Sequence, residues 1–148
     1  MAYQYQNQQP YPAANPYSDW LTRVGAYLVD IAPIIAIWVV FGVLAAVIGS
    51  VGPDILLYLL AAVGSIAYSA WNRWVLGGQG QSIGKRQLHI RLVSEDTGQP
   101  IGTVNAFLRD LCHVIDGLIC YIGYLFPLWD PKRQTLADKM MRTVVIPA

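Results

Sequence analysis

The sequence predicts an α-helical membrane protein: a tight two-helix transmembrane hairpin, a third transmembrane or re-entrant segment, and a small cytoplasmic β-hairpin. Three observations carry this expectation. Of the 148 residues 55% are hydrophobic and only 13% charged, against about 25% charged in a soluble domain. Residues 31–53 hold no ionisable side chain, and about 20 such residues cross the hydrocarbon core as a helix. Residues 55–72 form a second charge-free run.

Taken in order, residues 1–18, MAYQYQNQQPYPAANPYS, are rich in Gln, Tyr, Pro and Asn and carry no charge. Such a segment cannot bury a core and is expected as a disordered tail. The first 22 residues lack Lys and Arg, and the apolar run after them is too long for a leader's core, so no secretory leader is expected. A membrane domain over 19–146 follows. Its first span, about 20–51, starts where Ser18 or Asp19 can cap a helix and Trp20 suits the interface. The short link VGPD, 51–54, turns the chain into a second span at about 55–76. There Ala61, Ser65 and Ser69 recur every four residues, a small-residue ridge that lets helices approach closely in lipid.

Residues 77–104 read as a cytoplasmic loop. The glycines of GGQGQSIG break the helix, and Leu88, Ile90 and Leu92 then alternate with His89, Arg91 and Val93 as in a strand. Asp96-Thr97-Gly98 supplies a turn, 99–104 can return as a second strand, and TVVIP at 143–147 can join it. The third segment, about 105–129, is mixed. Its uncharged part, 117–129, is only 13 residues, too short to cross alone. Either the helix spans from Asn105 with its polar groups facing other helices, or it dips in and returns. Arg73, Lys85, Arg86, Arg91 and Arg109 crowd one loop and Lys132, Arg133, Lys139 and Arg142 the tail. The link between the spans has no positive charge, so the positive-inside rule places the basic loop and both termini in the cytoplasm of a multi-pass cell-membrane protein.

Two octapeptides stand out, RVGAYLVD at 23–30 and RDLCHVID at 109–116. Seven residues make nearly two helical turns, so each arginine shares a face with its aspartate, about 10.5 Å away along the axis. An arginine snorkels toward its own helix end; each aspartate is therefore expected to meet another element, Asp30 with Arg109 for instance. A charge at mid-membrane costs about 2.5–3.5 kcal/mol and marks function by default. Two readings follow. One is an ion or proton site built from Asp30 and Asp116, with His113 a turn before Asp116. The other is a set of interhelical ion pairs that fix the bundle.

Several classes are set aside. A net charge of +1 offers no surface for nucleic acid. Cys112 and Cys120, eight residues apart, lie about 12 Å apart on one helix, too far for a disulfide. Cys112, His113, Asp116 and Cys120 lack the second ligand cluster that a metal needs. GGQGQSIGK is no phosphate loop, because Gln79 and Arg86 stand where that motif needs Gly and Ser or Thr. No Ser–His–Asp frame is visible, and neither enzyme chemistry nor a cofactor is expected. The basic residues after 131 read as a topology anchor facing anionic head groups.

R-x-G-A-x-x-x-D opening a span, the loop GQSIGK…IRLV, an arginine opening the next helix, and D-P-K-R-Q-T-L-x-D-x-x-x-x-T-V-V at the end together resemble the RDD family, small membrane proteins named for one arginine and two aspartates. The resemblance covers about 19–146. By position, the family arginine is similar to Arg23 and the first aspartate to Asp30. The second resembles Asp138, with Asp116 the more deeply membrane-placed alternative. Gln81, Ser82, Gly84 and Lys85 match the family loop, and Thr143 and Val145 the closing strand. The chain departs at Ala137, where the family carries His, and at Met141-Arg142, where it carries Ala-Gly. The resemblance implies transport of unassigned ligands, with sodium/proton exchange in some members.

Two functions of different class are consistent with this sequence. In the first, a homo-oligomer in the lipid bilayer couples transport to monovalent cations and protons. Asp30, helped by Asp116 or Asp138, binds the ion, while Arg23 and Arg109 set the carboxylates. In the second, the chain is an accessory or scaffold subunit of a larger membrane complex and moves nothing itself.

Overall fold

The computed structural model describes residues 15–148; most of the expected tail, 1–14, lies outside the described residues. Two long helices form the hairpin. α1 (Trp20–Ile48) is opened by Asp19, whose carboxylate accepts from the Thr22 amide at 2.8 Å. Its 29 residues rise about 43 Å, enough to cross a bilayer. α2 (Val51–Ser69) runs on into a π-helix, Ala70–Leu76, giving a second apolar rod of 26 residues. VGPD is therefore the first turn of α2 rather than a link, a position where Pro53 needs no amide partner. Gly49 and Ser50 alone make the turn. Ala45 of α1 and Ala61 and Ser65 of α2 are buried between the rods, so part of the small-residue ridge packs as its spacing predicts. Val39, Val43 and Val47 on α1 and Leu56, Leu59 and Val63 on α2 stay exposed, an apolar coat suited to lipid.

The third segment turns back on itself. α4 (Thr103–Leu118) and α5 (Ile122–Leu125), which ends in a 3-10 turn Phe126–Leu128, meet at 107°. The shortness of 117–129 anticipates this break. With two spanning helices and a bent third segment, the chain is a multi-pass membrane protein.

At one end sit the short elements α3 (Ile83–Gln87), β1 (Ile90–Ser94), α6 (Leu136–Met140) and β2 (Thr143–Pro147). The small antiparallel β element is present, with Ile90 opposite Pro147, Leu92 opposite Val145 and Ser94 opposite Thr143. Its second strand is thus the C-terminal TVVIP. Residues 99–104 do not return as a strand: the Ser94 amide donates to Gln99 O, the Gly102 amide donates to Gly78 O, and α4 begins at Thr103. Ala26, Ile90, Leu92 and Val145 form one buried cluster with Leu88 and Ile101 against it, which seats the sheet on the first turns of α1. Ser18 joins this end, its amide donating to Val145 O at 2.9 Å.

Candidate functional site

Three polar knots surround the N-terminal half of α1. The first centres on Asp138, fully buried in α6. Local sequence builds it: Thr135 caps α6, the Asp138 amide donates to Thr135 Oγ1 at 3.1 Å, and the Thr135 amide donates back to Asp138 Oδ2 at 3.2 Å. Arg23 Nη1 then donates to Oδ2 at 2.9 Å, Arg109 Nε to Oδ1 at 2.8 Å, and Thr143 Oγ1 to Oδ1 at 2.9 Å. Burial pushes this carboxyl up, but the Arg109 and Arg23 guanidiniums outweigh it and hold it well below the usual carboxylate range. One carboxylate thereby ties α1, α4, α6 and β2 together.

The second knot is Asp30. The Asn72 amide nitrogen and the Gly84 backbone amide donate to Oδ1 at 2.8 and 2.7 Å, and Ser82 Oγ donates to Oδ2 at 2.6 Å. Asn72 in turn accepts from the Ile83 amide at 2.9 Å. The family-like loop explains itself here. Ser82 opens α3, Gly84 lets that helix touch α1, Gln81 Nε2 donates to Ile90 O at 3.0 Å, and Lys85 Nζ reaches Ser82 Oγ at 3.5 Å. Asn72 lies on the π-helix, whose extra residue per turn re-aims a side chain. The expected Asp30–Arg109 pair is not formed. Asp30 caps α3 with neutral donors, and both arginines are drawn to Asp138.

The third knot lies where α4 bends. His113 Nδ1 and Asp116 Oδ2 are 2.6 Å apart, Tyr124 stacks on the imidazole at 5.2 Å, and its hydroxyl donates to His113 O at 3.3 Å. Asp116 is buried, and its Oδ1 has no closed hydrogen bond. Asp30 and Asp116 therefore sit in separate networks rather than sharing one ion. Nearby, Arg73 Nη2 and Trp74 Nε1 both donate to Asp110 at 2.9 Å. Among the described residues no group of three or more His, Cys, Asp or Glu is placed to hold a metal.

Between the knots lies a cavity of about 460 Å³, lined among others by Arg23, Asp30, Asn72, Lys85, Arg109 and His113. The sequence reading missed Asn72, Asp110 and Thr135. Asn72 carried a signal, as the polar end of an apolar run facing a basic loop; Thr135 was visible only as Thr-x-x-Asp before α6.

The RDD family model matches residues 17–142, a stretch that contains the central aspartate of each knot. The chain belongs to the RDD family. Among similar proteins, the proline-rich antigen homolog of Mycobacterium tuberculosis is 42% identical over 152 residues, covering 88% of this chain and 63% of its own length. The proline-rich antigen of Mycobacterium leprae is 39% identical over 152 residues, covering 88% of this chain and 61% of its own length. This RDD chain thus spans less than two thirds of those relatives. No solved structure matches it. What the RDD chain contains is a buried Arg/Asp network inside a multi-pass membrane protein.

Proposed function

We propose that this RDD protein, as a homo-oligomer, moves a small solute across the membrane with coupled movement of protons or monovalent cations. The observation that carries the reading is a cavity with charged side chains in its wall. Its volume of about 460 Å³ lies in the range of ligand pockets, and ionisable groups from four elements line it, Arg23 and Asp30 among them from a membrane-spanning helix. Within this reading the three aspartates divide the work. Asp138, the second family aspartate, is a fixed anchor for Arg23 and Arg109. Asp30 holds α3 against α1, and a cation there must displace three donors. The His113–Asp116 pair is the proton carrier, because two proton-binding groups at 2.6 Å can exchange one proton as the cavity fills. A single chain with two spans and a bent segment lines one wall of a path; oligomerisation supplies the rest.

Reconstituted protein tests this reading. Proteoliposomes carrying a trapped pH dye should show sodium-, potassium- or lithium-driven proton movement. No flux with any of the three, from inserted and folded protein, would remove the coupling.

The fully satisfied shells of Asp30 and Asp138 favour a second reading, a scaffold subunit whose charges clasp the short cytoplasmic elements to the membrane helices. It predicts stable co-purification with a larger complex and no flux by the isolated chain.

A further inference from the structure

We propose that the cavity beside Arg23 and Lys85 binds an anion, a phosphate or carboxylate group belonging either to a soluble solute or to a lipid head group. This deepens the proposed function and rests on the cavity being a ligand site, but not on proton coupling.

The two carboxylates that line the cavity, Asp30 and Asp110, already have their partners. Asp110 is held by Arg73 and Trp74 and Asp30 by Asn72, Ser82 and Gly84, while Asp138, outside the lining, is held by Arg23 and Arg109. The cations are not used up. Arg23 spends only Nη1 on Asp138; its Nε and Nη2 are buried without a hydrogen-bond partner. Those two atoms form one edge of the guanidinium, the two-donor fork that fits two oxygens of a carboxylate or phosphate. Left empty inside a protein, that fork is an uncompensated cost. Lys85 makes no salt bridge among the described residues, and its ammonium reaches only Ser82 Oγ at 3.5 Å. Both side chains line the same cavity. The ammonium also behaves as one short of a counter-ion: burial first, then Arg109, push the Lys85 pKa down to about 8 against the pull of Asp30. A bound anion satisfies the Arg23 edge and supplies that counter-ion in one step.

The test uses the full chain in nanodiscs, with calorimetric titration of inorganic phosphate and of succinate at constant ionic strength. Zwitterionic phosphatidylcholine discs are compared with discs containing phosphatidylglycerol. Saturable binding in phosphatidylcholine assigns the anion to a soluble solute. Binding seen only as stabilisation and a raised Lys85 pKa in phosphatidylglycerol assigns it to a head group. Arg23→Lys keeps a charge for Asp138 but removes the fork, and Lys85→Gln removes the ammonium without touching Asp138. Each should weaken binding roughly tenfold or more, the loss of one charge-assisted contact. No saturable effect of phosphate, succinate or phosphatidylglycerol on folded wild type overturns the proposal, as does equal binding by wild type and both folded variants. Binding without proton flux leaves this inference standing and removes only the coupling; flux without anion binding does the reverse.

Discussion

The Gly84 amide donates to Asp30 Oδ1 at 2.7 Å from a place where a Cβ would stand 1.9 Å from the Ala26 carbonyl oxygen. α3 therefore meets α1 backbone against backbone, and the carboxylate of Asp30 is the cap that the contact delivers. Gly84→Ala forces the two backbones apart and frees Asp30 from its donors. Overpacking of this kind costs about 1–3 kcal/mol. Thermal unfolding in detergent should show a lower midpoint for Gly84→Ala, with Ser82→Ala milder; an unchanged midpoint for Gly84→Ala would contradict the contact.

Asp138 predicts a pH dependence of the opposite end of the clasp. Its folded pKa lies below that of the unfolded chain, about 3.9, so the unfolded state binds more protons as the medium acidifies. The contribution is complete above about pH 4 and is lost progressively as the pH falls further. Asp138→Asn should lower stability at neutral pH by about 3–5 kcal/mol, since it strands two buried arginines. It should also flatten the acid limb of the midpoint-against-pH curve. An equally steep acid limb in the variant would place the titrating group elsewhere.

Lys85 predicts a slope at the alkaline end. With a folded pKa pushed down to about 8 and an unfolded value of about 10.4, the unfolded chain binds more protons between the two. Stability should therefore rise across that window as the penalty on the ammonium is relieved. Burial sets it first, then Arg109 and Arg73, opposed by Asp30 and Asp110. Lys85→Met should remove the rise, which a pH series of unfolding midpoints reads directly.

At the bend, a Cβ on Gly123 would stand 2.1 Å from Asp116 Oδ1. Gly123→Ala should therefore displace Asp116 from His113 or open the bend. Loss of the His113–Tyr124 stack, seen as a changed near-ultraviolet spectrum of the folded protein, checks it.

Charge-free runs and the shortness of 117–129 made both spans and the bend legible, because the bilayer imposes length on sequence. The matching octapeptides were legible too, but their meaning was not. The arginines of both converge on one carboxylate, Asp138, which lies 115 residues beyond Arg23, while the two aspartates part company. Asp30 turns to Asn72, Ser82 and the Gly84 amide, and Asp116 to His113. Helical spacing fixes which face a residue occupies; it says nothing of which distant element covers that face. The β element was legible except for the strand expected at 99–104. Alternation at 88–93 showed a strand, and pairing with 143–147 came from tertiary packing against Ala26 rather than from the nearby turn.

The central claim is that the cavity beside Arg23 and Lys85 is a transport site with His113–Asp116 as its proton carrier. Proton flux in proteoliposomes of wild type beside Asp116→Asn and His113→Gln, each verified as folded and inserted, tests it most directly. The account predicts cation-driven collapse of a pH gradient by wild type and none by either variant. Wild-type flux that survives in both variants would contradict the assignment of the carrier. Absence of flux in folded wild type would contradict transport itself and leave the network as a clasp.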